Sequence, residues 1–136
     1  MDGHLPPKKD GASSMWGKAV EIPRLIALRR AALRAAGSNG SLKNKIHLSL
    51  EIYMPSHELG PAGDLDNFVT GVCDGLMAAS SQSKLPERWN DPALTDIHPE
   101  RVVAIVDDSA VVSIMATKNH DRQGRRWYKI CLEGTP

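Results

Sequence analysis

Lys45-Ile46-His47-Leu48-Ser49-Leu50-Glu51-Ile52-Tyr53-Met54 alternates without a break between polar and apolar side chains. Successive side chains of a strand point to opposite faces. This period of two therefore predicts a half-buried strand, with Ile46, Leu48, Leu50, Ile52 and Met54 against a core and His47, Ser49, Glu51 and Tyr53 on the other side. Upstream, Ile22 to Ala36 is rich in Ala, Leu and Arg, carries Pro23 in a first helical turn, and stops at Gly37, Ser38, Asn39 and Gly40. Leu25, Leu28, Ala32 and Ala35 recur at helical spacing on a core face. Arg30 and Arg34 share another face one turn apart, where they meet either phosphate or water.

Downstream, the turn residues Pro55, Gly60, Pro61 and Gly63 precede Asp64-Leu65-Asp66-Asn67, which opens a second helix with Val69, Val72, Cys73 and Leu76 as its apolar stripe. Residues 79–100, with Pro86, Pro92 and Pro99, hold no sustained period and read as a long surface excursion with room for a short helical turn. The run from Arg101 to Val106 reads as a strand ending at Asp107-Asp108. Ala110 to Lys118 and Trp127 to Leu132 also read as strands, with Asn119 to Gly124 as the turn of a hairpin between them. Helix, strand, helix, strands and hairpin define a small α+β domain, a mixed α/β sheet packed against helices.

At 136 residues, the chain accommodates one domain, expected at 19–136 with a loop inserted at about 79–100. Residues 1–18 read as a flexible N-terminal arm, because Pro6, Pro7, Lys8, Lys9, Asp10 and Gly11 offer no apolar run. The sequence has neither the apolar h-region of a signal peptide nor the roughly 18 apolar residues of a membrane helix, so a soluble, cytoplasmic protein without a membrane partner is expected. The two cysteines, Cys73 and Cys131, lack zinc-binding spacing and are expected to be buried free thiols. A net charge of +1 gives no reason by itself to expect a nucleic-acid partner. The distribution says more: acids gather in the middle, with Arg24, Arg29, Arg30 and Arg34 before them and Lys118, Arg122, Arg125 and Arg126 after. That layout suits a metal site handling phosphates, although charged solvated faces also produce such runs.

Asp64 and Asp66 are two residues apart where a loop enters a helix, so in an extended segment their side chains point the same way. Two like charges about 4 Å apart repel by roughly 4 kcal/mol at an effective dielectric of 20, so converging carboxylates need a cation or a shared proton. A strand ending in Asp107-Asp108 is a rigid way to deliver a third acid. Oxygen ligands without organised Cys or His favour Mg²⁺ or Mn²⁺ over zinc. The plainer reading is that Asp64 or Asp66 caps a helix and Asp107-Asp108 makes a turn.

Taken together, Asp64-Leu65-Asp66-Asn67, then Asp74-Gly75-Leu76 along the helix, then Asp107-Asp108-Ser109-Ala110-Val111-Val112 and Lys118, resembles the RusA-like Holliday junction resolvase family over roughly Lys45 to Lys118. The resemblance implies a homodimeric, Mg²⁺-dependent endonuclease for four-way DNA junctions, involved in DNA recombination and repair. It implies that Asp64, Asp66 and Asp108 are catalytic and bind the metal, with Asp74, Asp107 and Asn67 in support. Three departures stand out. Thr70 occupies the family's lysine position, leaving Lys84, Arg88, Arg101 or Lys118 to supply a cation. No opening strand precedes the first helix, and the 79–100 stretch lengthens the gap between Asp74 and Asp108.

Arg30, Arg34, Lys118, Arg125 and Arg126 are the candidate contacts to DNA phosphates. Phe68 and Trp89 are either wedges between bases or ordinary packing, and His57 is either a proton carrier or a loop histidine. Two rivals remain: a branched-DNA-binding relative that keeps the acids without turnover, and an interaction domain whose acids only cap and turn.

Overall fold

The computed structural model describes residues 3–10, 14–36 and 40–136. The expected helix stop at Gly37, Ser38 and Asn39, and residues 1–2 and 11–13 of the expected arm, lie outside the described residues. The α-helices and strands are α1 (Glu21–Ala36), β1 (Asn44–Met54), α2 (Leu65–Leu76), β2 (Val111–His120) and β3 (Trp127–Thr135). The fold class is as expected, an α+β domain with a mixed sheet against helices. None of its helices is long and apolar enough to cross a membrane among the described residues.

β1 is the middle strand of a three-stranded sheet ordered β2-β1-β3. It alternates as its sequence requires, with Ile46, Leu48, Leu50, Ile52 and Met54 all buried. Phe68, Val72, Cys73 and Leu76 of α2 and Leu28 of α1 cover that row to form the main core. Each aliphatic side chain so removed from water stabilises the fold by about 1.5–3 kcal/mol. β2 runs parallel to β1, reached through α2, whereas β3 runs antiparallel on the other side.

Two strand expectations are corrected. The hairpin of β2 with β3 does not form, because both strands pair with β1 and the connecting residues 121–126 pass over its end. A fully apolar row on β1 rewards occupation of both its edges. Asp121 organises the passage: its carboxylate accepts from the amides of Gln123 and Arg125 and, at 2.6 Å, from Trp127 Nε1. The expected strand at Arg101–Val106 is irregular instead, apart from one bridge between Leu42 and Ile105. The amides of Val103, Ala104 and Ile105 all point at the carbonyl of Leu76, so this run closes the C-terminus of α2 rather than joining the sheet.

The 79–100 segment is also corrected, from a surface excursion to half of a second core. Short 3₁₀ turns at Glu87–Asn90 and Pro92–Ile97 bury Trp89, Leu94 and Ile97 against Met15, Trp16, Ile22 and Leu25. Trp89 donates its indole N–H to Trp16 O and meets the Trp16 ring edge-on at 5.7 Å. Residues expected to belong to an arm therefore pack: Leu5, Pro6 and Pro7 are buried, as are Met15 and Trp16.

Arg29 ties the two cores together. It is wholly buried and donates to five carbonyls: Ile97 from Nε, Gly75 and Met77 from Nη1, and His98 and Arg101 from Nη2. The guanidinium thereby caps the end of α2 and fixes residues 97–101 against it. Burial without a carboxylate partner lowers its pKa to about 10.

Candidate functional site

α2 carries acids at both ends. Asp64 occupies the N-cap position, yet its carboxylate accepts no cap hydrogen bond. The capping explanation therefore does not account for it. Asp66 Oδ1 accepts from the Asn67 amide at 3.0 Å, and Asn67 Nδ2 donates to Asp10 Oδ1 at 2.9 Å. Asp64 and Asp66 are both exposed. Lys118 holds the loop that leads to them, donating from Nζ to the carbonyls of Leu59 at 2.6 Å and Gly63 at 3.0 Å. It faces the helical layer beside Ile52, so it acts as a loop anchor.

The other end is where Asp108 arrives. Its amide meets Met77 Sδ at 3.1 Å, just beyond α2. Asp107 accepts from the Ser109 amide at 2.9 Å and caps the 3₁₀ turn of 108–110. Hydrogen bonds from Ser109, first its amide and then its hydroxyl, hold Asp107 below the usual carboxylate range. Asp108, although exposed, moves the opposite way: partial desolvation first, then the charges of Asp74 and Asp107, raise its pKa. The same neighbourhood affects Cys73, whose buried thiol is pushed up to about 11 by desolvation, then by Asp108 and Asp74. Cys131 is exposed on β3, contrary to expectation, and both cysteines are free thiols. Lys9 balances part of this charge, with Nζ 2.9 Å from Asp74 Oδ2.

Lys9 reaches Asp74 because the N-terminal segment crosses α2. The Lys9 amide donates to Asn67 O, and a Cβ on Gly71 would lie 2.2 Å from Pro7 O. Only glycine allows that approach. Lys9 thus brings a cation to the face where Thr70, bonded to Asp66 O, offers none. Its position in a polar segment gave no signal, whereas Gly71 inside an apolar helix pattern was a hint of close backbone contact. Arg29 was also missed, although it follows Leu25 by four residues and so falls on the buried stripe.

The structure brings Asp74, Asp107 and Asp108 into one neighbourhood and leaves Asp64 and Asp66 at the far end of α2. At 1.5 Å per residue, these two lie about 12–15 Å along the axis from Asp74. Among the described residues, no three His, Cys, Asp or Glu side chains are grouped to hold a metal ion. The chain does not fit a closed cage of Asp64, Asp66 and Asp108. What it offers Mg²⁺ is the electronegative neighbourhood of Asp108, since that ion is commonly held by one or two carboxylates with water and phosphate completing its shell.

Among the DNA-binding candidates, Arg30 and Arg34 are exposed on α1. Arg125 pairs with Asp121 at 3.6 Å and Arg126 pairs with Glu58. Phe68 and Trp89 are fully buried core residues, and His57 sits exposed in its loop. In comparison with known proteins, the chain matches no family model, no curated protein and no solved structure.

Proposed function

We propose that the chain is a Mg²⁺- or Mn²⁺-dependent DNA endonuclease of the RusA-like type, cytoplasmic and homodimeric, cutting four-way junctions by phosphodiester hydrolysis. The observation that carries this reading is the placement of Asp108 and Asp107 at the end of α2 that carries Asp74, where Lys9 is the one cation paired with these acids among the described residues. Such an arrangement attracts a divalent cation or a proton. A bound cation would neutralise charge at the scissile phosphate and make a water more acidic. Lys9 offers a second positive charge to the same phosphate, and Asp108 is held rigidly by the Met77 contact and the turn that Asp107 caps. The exposed Arg30 and Arg34 hold flanking phosphates without reading bases. The open edge of β2, where Val112, Ile114 and Met115 are exposed, supports pairing of two copies.

A second reading, a branched-DNA-binding relative without turnover, is favoured by the separation of Asp64 and Asp66 from Asp108 and by Thr70. Incubation of a synthetic four-way junction with and without Mg²⁺ or Mn²⁺ decides between them, using the wild type, Asp66→Asn, Asp108→Asn and a linear duplex control. Metal-dependent nicking of the junction that Asp108→Asn abolishes is the expected result, and its loss in Asp66→Asn as well would bring the acids at the start of α2 into the same site. Tight junction binding without cutting would establish the second reading, and neither binding nor cutting would sink both. Thermal shift separates the interaction-domain rival: metal at 100 times its Kd adds about 2.7 kcal/mol to a protein that binds it, and nothing to one whose acids only cap and turn.

A further inference from the structure

A cleft of about 880 Å³ opens beside Asp74, between the 14–18 segment and residues 77–84. Its walls carry Lys9, Lys18 and Lys84. Asp74 is the one acid in the lining, and Lys9 already pairs with it. Lys18 and Lys84 make no ion pair among the described residues. The cleft therefore carries uncompensated positive charge although the whole chain is nearly neutral.

Hydroxyls add to it. Ser14 and Ser80 use their oxygens as acceptors for the amides of Trp16 and Gln82, which leaves their O–H groups to donate. Met77, Ala78 and Ala79, all half-buried, give the lining an apolar part. Met77 is also the residue whose sulfur meets the Asp108 amide, so the cleft shares Asp74 and Met77 with the acidic neighbourhood.

We propose that this cleft binds a single nucleic-acid strand, with its phosphates on Lys18 and Lys84 and its bases against the apolar lining. Strand-binding grooves combine a cationic track with surfaces on which unstacked bases lie, and a duplex keeps its bases out of reach of such a floor. The volume is at the upper end of small-ligand sites, which suits more than one nucleotide. The proposal rests on the DNA-processing reading for its biological sense. It assigns the role of strand guide to the 79–84 segment and to the N-terminal residues.

The test is binding of a fluorescent single-stranded oligonucleotide over a range of salt in EDTA, where no cutting occurs. The Lys18→Ala/Lys84→Ala variant is compared with the wild type and with a charge-matched control, Lys43→Ala/Lys129→Ala. Each lysine withdrawn from a phosphate should lower the slope of log affinity against log salt by about 0.7. The cleft variant is therefore expected to bind more weakly with a slope shallower by about 1.4, while the control keeps the wild-type slope. Wild-type affinity and slope in the cleft variant, at an unchanged thermal midpoint, would overturn the proposal. So would a mononucleotide that competes at the oligonucleotide's own affinity, since it would make the ligand a free nucleotide. Junction cutting is scored separately: strand binding lost with the lysines in a protein that never cuts sinks the nuclease reading alone, and unaltered binding in a protein that cuts sinks the cleft alone.

Discussion

Arg29 and Asp121 show how single buried charged groups hold this fold where no apolar contact could. Arg29 donates to five carbonyls at the end of α2 and along the 97–101 segment, of which that of His98 also accepts the Arg101 amide. Arg29→Met keeps much of the volume and removes every donor. Because buried acceptors left bare are costly and the five bonds do not add independently, a loss of about 3–5 kcal/mol is expected in urea denaturation. A loss below 1 kcal/mol would show that water replaces the guanidinium. Asp121 makes a pH prediction. The Trp127 indole N–H, followed by the amides of Gln123 and Arg125, holds its folded pKa below the usual carboxylate value. A depressed folded pKa contributes stability that is complete above the unfolded value of about 3.9 and is lost as pH falls through the lower folded one. Urea midpoints measured from neutral pH downwards should therefore fall more steeply below about pH 4 for the wild type than for Asp121→Asn, with the two curves converging in acid. Parallel curves would remove Asp121 from the account.

At the scale of elements, α2 is the organising piece. Its glycines are contact points: Gly71 admits the N-terminal segment, and Gly75 lies under Leu25 and Leu28 of α1, where a Cβ would come within 2.8 Å of Leu28 Cδ2. Gly71→Ala inserts a methyl group where backbone already stands, and overpacking of this kind costs about 1–3 kcal/mol. The displaced segment carries Lys9 away from Asp74. Lys9→Ala should then matter in the wild type and be nearly silent in Gly71→Ala, a coupling that a double-mutant cycle measures. Additive effects would mean that Lys9 reaches Asp74 by another route.

For the whole molecule, α1 belongs to both cores, with Leu28 in the main one and Leu25 in the second. Arg29, next to Leu28, bonds to residues of α2 and of the 79–101 segment. A chain joined this way should unfold as one unit. With Trp127 replaced by phenylalanine, indole emission reports only Trp16 and Trp89, both in the second core, while circular dichroism reports the helices and sheet of the whole. The two midpoints should coincide; separate transitions would show that the second core is an independent layer. Trp89→Ala should lower the stability of the whole domain by about 3–5 kcal/mol, read by the same circular dichroism, rather than loosen a loop.

What was legible in the sequence was whatever local periodicity encodes. The alternation of 45–54 specified β1 and its buried face, and the helical spacing around 25–36 and 65–76 specified two helices and their inner sides. The α+β class followed from their order. Pairing was not legible: Ala110 to Lys118 and Trp127 to Leu132 look like hairpin strands, and only the fully apolar row on β1 decides that each takes one of its edges. The short run at 101–106 has strand composition, but the carbonyl at the end of α2 claims its amides. The acids were visible as residues, and their grouping was not. Whether Asp108 stands with Asp64 and Asp66 or with Asp74 depends on which end of α2 receives the chain after the 79–100 segment. That is set by Arg29, Trp89 and the other contacts across long sequence separations, which no window of neighbouring residues contains.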